Sequence, residues 1–313
     1  MDQALQEEWA FPSIEEKYFE MNCNFPPYLQ YKIFYPLLEA LRGVHRQDPK
    51  TRCLNAFYTR EEIINLYKNE MEKKWKQGQS LVLASEAMDF IASSNEEDGY
   101  HLLDALLDFL PTNEKDNESK EFSSTTAVVM YRPPRVSHLI SAWHQCCMQK
   151  MSFYNFLTSM DSSTVFDGAL KTLDSLLLAE RFAHRKINTV LVDLSGVKHH
   201  EYDISNVIAC DVLDAKCNAE KKPEVSISPM ITNVKKHSKD NLNVTDAQIA
   251  SIDKVIESYD CHFKHVLTSN YIQVLYPHDI EEIMHSCSNT TSYNGSVSKL
   301  RQQTVRQIRQ ILQ

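Results

Sequence analysis

The run Thr125-Thr126-Ala127-Val128-Val129-Met130-Tyr131-Arg132-Pro133-Pro134-Arg135, continuing as Val136-Ser137-His138-Leu139-Ile140-Ser141-Ala142-Trp143-His144, limits the fold more than any other stretch. Ala127 to Met130 has the β-branched apolar character of a buried parallel strand, and Pro133 and Pro134 stop it because neither can donate to a ladder. A helix follows from about Val136 to Gln149. An arginine where a strand ends and a hydroxyl near a helix N-terminus are groups that clamp phosphate: the guanidinium is a rigid fork, and the helix end presents unpaired N–H groups. The competing reading is that Arg132 and Arg135 cap a surface turn.

A chain of 313 residues can bury a sizeable core, and 42% hydrophobic with 24% charged residues is ordinary for a globular protein. The formal charge of −9 argues against a general nucleic-acid binder, which needs a basic face, yet leaves room for a local basic pocket. No apolar stretch approaches membrane-spanning length, and the acidic start Met1-Asp2-Gln3-Ala4-Leu5-Gln6-Glu7-Glu8 is unlike a signal peptide. Four Asn-X-Ser/Thr sequons, at Asn117, Asn243, Asn289 and Asn294, lean towards a secretory lumen, although such triplets also arise by chance in Ser- and Asn-rich loops. The eight cysteines show no paired CxxC spacing, so no metal is expected. Cys210 and Cys217 either close a short loop as a disulfide or remain buried thiols.

Helices are expected over Leu29–Leu41, from Thr59 to Gln77, over Tyr100–Leu110, over Leu170–Arg185 and from Thr245 to Tyr259. Thr59 with Glu62 and Thr245 with Gln248 have the spacing of capping boxes, and Gly78 follows the second of these helices. Strands are expected over Ser80–Ser85 and Thr189–Leu194. Helices between strands imply parallel crossovers and a sheet covered on both faces. Ligands gather outside the carboxyl ends of such strands, where Glu86, Arg132, Asp193 and Ser195 fall. Thr112–Ser124 and Asn218–Asn241 read as polar loops, and Ser286–Ser298 as a polar tract. Lys299–Gln313 reads as a basic amphipathic helix exposing Arg301, Arg306 and Arg309. The whole is expected to be one domain, residues 1–313, with a core of about 29–276 and a tail with a terminal helix over 286–313.

Several of these stretches together resemble the sulfotransferase superfamily, in particular its divergent microalgal members, over about Leu81 to Tyr276. Leu81-Val82-Leu83-Ala84-Ser85-Glu86 resembles a strand ending in Ser-Glu, and Tyr131-Arg132-Pro133-Pro134-Arg135 through Ser141-Ala142-Trp143 resembles the 3′-phosphate segment. Val190 to Val197, then Val207 to Leu213 and Cys217, resemble the next strand and a cysteine-containing helix. The resemblance implies an α/β fold with a P-loop-type parallel sheet flanked by helices. It also implies 3′-phosphoadenosine 5′-phosphosulfate as donor, a hydroxyl-bearing small molecule or carbohydrate as acceptor, and a Golgi lumen. Arg132 and Ser141 would hold the 3′-phosphate. Their spacing is one residue longer than the family's, which makes Ser137 a rival for the hydroxyl role. Glu86 is similar in place to a general base, which a neutral alcohol attacking sulfur requires; a helix cap is its other reading.

The family's lysine-bearing loop, which cradles the 5′-phosphosulfate and stabilises the leaving oxygen, has no counterpart among the six glycines and their neighbours. The opening Gln3 to Pro12 looks like what would follow that loop, so the expectation is a chain lacking its first strand and loop and of low activity. Lys171, Arg181 and Lys198 are the first residues to examine for a replacement site. Two further readings stand beside transfer: a catalytically inactive binding or interaction protein retaining the fold, and a lumenal glycosyltransferase. The last would want an Asp-X-Asp motif, which the sequence does not contain.

Overall fold

The structure is a computed structural model that describes residues 9–10, 35–43, 58–83, 88, 90–93, 96–111, 125–132, 135–146, 151–158, 174–213, 244–287 and 297–313. The chain divides into two compact units, residues 1–121 and 122–313.

Unit 1 holds β1 (Trp9–Ala10), α1 (Tyr35–Leu41), α2 (Arg60–Lys76), β2 (Ser80–Leu81), α3 (Phe90–Ser93) and α4 (Glu96–Phe109). The capping box of α2 forms as its sequence predicts: Thr59 accepts from the Glu62 N–H, and Glu62 Oε2 accepts from the Thr59 N–H at 2.7 Å. Gly78, at φ +76°, takes the left-handed turn that closes the helix. Ile63, Tyr67 and Met71, at helical spacing, pack against Leu37, Ala40 and Phe109. Of the strand expected over Ser80–Ser85, β2 covers Ser80 and Leu81, paired in parallel with Trp9 and Ala10, and Ala84 and Ser85 lie outside the described residues.

Unit 2 holds β3 (Thr126–Tyr131), α5 (Val136–Cys146), α6 (Phe153–Thr158), α7 (Ser175–His184), β4 (Asn188–Asp193) and α8 (Leu194–His199). After a helical turn, Ile204–Asn206, and a π-helix, Val207–Val212, come α9 (Asp246–Cys261), β5 (Ile272–Leu275), α10 (Asp279–Ser286) and α11 (Val297–Leu312). The three strands pair in the order β3-β4-β5, all parallel, with Tyr131 opposite Asp193 and Val192 opposite Leu275. The fold is therefore α/β with a small parallel sheet flanked by helices, as the alternation of elements implies.

Thr189 to Asp193 are buried without interruption, the pattern of a central strand covered on both faces. One face packs Val190 and Val192 against Val197 of α8 and Val207 of the π-helix. A separate all-helical core joins Leu139 and Trp143 of α5, Phe153 and Phe156 of α6, Ile252 and Ile256 of α9, and Val305 and Ile308 of α11. The capping box of Thr245 and Gln248 forms at the start of α9. Between α9 and α10, Cys261 and Cys287 form a disulfide, with Cα atoms 5.3 Å apart across 26 residues. Cys210 is also disulfide-bonded, and Cys217 lies outside the described residues.

Two expectations about basic residues are corrected. Arg301 is not a solvated residue of the terminal helix: its Nη2 lies 2.5 Å from Asp174 Oδ2, and Asp174 also accepts from the Tyr259 hydroxyl at 2.7 Å. Arg181 is only 1% exposed and acts electrostatically on Asp174, so it does not offer a phosphosulfate site. A buried carboxylate draws cations inward because leaving it unpaired costs several kcal/mol. Lys198 is exposed, and Lys171 lies outside the described residues.

Candidate functional site

The carboxyl ends of β3, β4 and β5 form one edge of unit 2, the edge where parallel sheets present ligand-binding groups. Arg132 follows the last residue of β3 and is exposed, as is Arg135. Before it, Tyr131 is buried and its hydroxyl donates to Asp260 Oδ2 at 2.8 Å. This bond pins the end of β3 to α9. Burial pushes the Asp260 carboxyl up to about 7, with repulsion from Asp174 adding to it and the Tyr131 hydrogen bond opposing it.

Ser137 and Ser141 are both exposed on α5 and lie four residues apart, hence on one side of the helix. The N-terminus of α5 already carries a negative group: the Val136 N–H donates to Asp253 Oδ1 at 2.6 Å. His138 lies in the field of this region. Burial first, then Arg132 and Arg135, push its imidazole down, while Asp253 pulls it up. The two guanidiniums thus make a local positive field in an acidic protein. Glu86 lies outside the described residues.

At the end of β4, Asp193 and Ser195 prove structural. Asp193 is fully buried, and its carboxylate accepts from the Ser195 N–H and Oγ at 3.0 and 2.8 Å and from the N–H groups of His278 and Ile280, both at 3.0 Å. It caps α8 and secures the chain entering α10.

A group of rings that no sequence motif marks lies beyond β4 and β5. His199 and His278 have centroids 5.0 Å apart, His200 stacks on Tyr202 at 5.6 Å, and Tyr202 meets Tyr276 edge-on at 5.3 Å. Tyr276 donates its hydroxyl to Asp211 of the π-helix, and partial burial together with that carboxylate pushes its phenol up to about 12. Its backbone sits at φ +56°, a strained value for a non-glycine residue. Gly196 allows this placement, since a Cβ there would stand 1.8 Å from the Tyr276 carbonyl oxygen. Strain, a π-helix and clustered rings at a sheet's carboxyl edge are features that gather at functional sites. The adjacent pair His199-His200 was the available signal. Without β5 placed beside β4, nothing in the sequence joins it to Tyr276 and His278.

Among the described residues no group of three His, Cys, Asp or Glu side chains is arranged to hold a metal ion, and no helix is long and apolar enough to cross a membrane. No protein-family model, curated protein or solved structure matches the chain.

Proposed function

We propose that unit 2 binds a phosphorylated adenosine donor at this edge and belongs to a sulfotransferase-like protein that moves a sulfuryl group from 3′-phosphoadenosine 5′-phosphosulfate to a hydroxyl acceptor. The observation that carries the reading is an exposed Arg132 at the end of a parallel strand, followed by a helix with Ser137 and Ser141 exposed on one side. Arg132 would hold the 3′-phosphate as a charge-assisted fork, with Ser141 or Ser137 adding a hydroxyl. The acceptor is a hydroxyl-bearing small molecule or carbohydrate. Maturation in a secretory lumen, such as the Golgi, is supported by the Cys261–Cys287 disulfide, which an oxidising compartment favours.

The test is thermal unfolding with adenosine 3′,5′-bisphosphate. Stabilisation is expected, Arg132→Ala should abolish it, and the loss of the charge-assisted contact should cost about 1.5–3 kcal/mol of binding. Comparison of Ser137→Ala with Ser141→Ala identifies the hydroxyl partner. Equal stabilisation by adenosine 5′-monophosphate would refute the reading, because the 3′-phosphate would then be unread. A second reading, a binding protein without turnover, is favoured by one observation: Asp253 holds a carboxylate on the α5 N–H that a phosphate would use. Under that reading the bisphosphate gives no Arg132-dependent stabilisation, and labelled donor yields no product with any hydroxyl acceptor.

A further inference from the structure

We propose that His278 is the proton acceptor at the carboxyl edge of unit 2, with Nε2 as the working atom, Asp279 fixing the ring's tautomer and Asp193 fixing its backbone. This rests on the reading of that edge as the ligand side of the sheet. His278 Nδ1 lies 3.2 Å from Asp279 Oδ1, with the imidazole side chain 46% exposed and the carboxylate 12%. An ionised carboxylate can only accept, so the contact makes Nδ1 the protonated nitrogen and leaves the Nε2 lone pair free. A base oriented by a buried third group recurs wherever a hydroxyl nucleophile must be deprotonated.

The backbone is held as firmly as the ring. Asp193 accepts the N–H of His278 and, two residues on, that of Ile280. Because Asp193 stands opposite Tyr131 in the sheet and accepts the His278 N–H, His278 and Arg132 lie on the same edge.

Three other histidines, His265, His199 and His200, compare poorly. His265 also meets a carboxylate, Glu180, at 2.8 Å, but its second nitrogen lies 3.2 Å from the His262 carbonyl, so neither nitrogen is free. His199 and His200 make ring contacts, but no carboxylate among the described residues bonds their nitrogens. In the transfer, the acceptor oxygen bonds to sulfur while the bond from sulfur to the phosphate oxygen breaks, its electron pair leaving on adenosine 3′,5′-bisphosphate. The acceptor's proton passes to His278 Nε2 and from there to solvent.

Long-range proton–nitrogen NMR of the imidazole rings tests the assignment without requiring turnover. At a pH where His278 is neutral, the intact chain should show it protonated on Nδ1. Asp279→Ala should return it to the Nε2-protonated form, while the His265 signals stay put as a check on the fold. An Nε2-protonated His278 in the intact chain, or a tautomer unmoved by Asp279→Ala, overturns the proposal. Absence of Arg132-dependent stabilisation by adenosine 3′,5′-bisphosphate faults the donor reading instead, and the tautomer result is independent of it.

Discussion

The ends of β3 and β4 lie side by side in register, and each leans on a buried carboxylate, yet the two carboxylates are satisfied in different ways. Asp193 takes three backbone N–H groups and one hydroxyl. Asp260 takes a single phenol, from Tyr131, and no cation among the described residues bonds to it. An interior carboxylate surrounded by N–H donors is solvated by the fold and becomes part of its framework. One with a single donor pays for its charge and holds a proton instead. The same side-chain type therefore anchors the chain at one strand end and titrates at the other.

The largest effect should follow removal of the better-satisfied group. Asp193→Ala strips acceptors from three backbone N–H groups at once and should cost about 3–5 kcal/mol in urea unfolding. Asp203 is a useful control: it caps the turn at Ile204 through the Ser205 N–H at 2.7 Å, but it is exposed. Asp203→Ala should cost about 1 kcal/mol. Equal losses for the two would break the distinction between a buried framework carboxylate and an ordinary cap.

Next is the disulfide, which fixes the residue beside Asp260. Replacing Cys261 and Cys287 together by Ala reopens a closure of 26 residues and should lose about 3 kcal/mol, because the crosslink limits the unfolded chain. Reductant should lower the melting temperature of the intact chain by more than that of the double variant, which keeps the Cys210 disulfide. A double variant as stable as the parent would show that α9 and α10 are held by packing alone.

Such differences explain what could be read in advance. The capping boxes at Thr59 and Thr245 are local, three residues from partner to partner, and both form. The apolar runs of β3 and β4 were legible for the same reason: their burial is written in consecutive residues. Sequence pattern does not mark β5, since Ile272-Gln273-Val274-Leu275 is four residues long and gains meaning only beside β4. The Arg301 partner lies 127 residues away, and its helical spacing alone suggested a solvated face. The position of Asp193 at a strand end suggests a ligand-facing residue, because sequence shows the strand end but not the N–H groups of His278 and Ile280 that enclose it. The cysteine pairing was illegible in principle, since spacing does not determine connectivity.

Asp260→Asn should act in the opposite direction to Asp193→Ala. The folded carboxyl titrates at about 7 against an ordinary value of 3.8, so the folded state binds the extra proton between those values. Stability from this group is therefore full below about pH 4 and falls as the pH rises towards 7. The amide keeps an acceptor for Tyr131 and carries no charge, so the variant should match the parent near pH 4 and exceed it at pH 8. A constant difference across that range would show that the carboxyl is not protonated in the fold.

The smallest effect isolates the single hydrogen bond at the end of β3. Tyr131→Phe leaves the ring in its buried place and removes only the hydroxyl. At pH 5 Asp260 is protonated, the lost bond is neutral to neutral, and the cost should be about 1 kcal/mol. At pH 8 the parent bond is made to an ionised carboxylate, a stronger contact, so the cost should rise to about 2 kcal/mol. In an Asp260→Asn background that rise should vanish, because the acceptor no longer changes charge. A double-mutant cycle at the two pH values reads this directly: coupling between positions 131 and 260 should grow with pH. If it stays flat, the phenol does not answer the charge on Asp260, and the contrast with the four donors around Asp193 must be sought in packing rather than in hydrogen bonding.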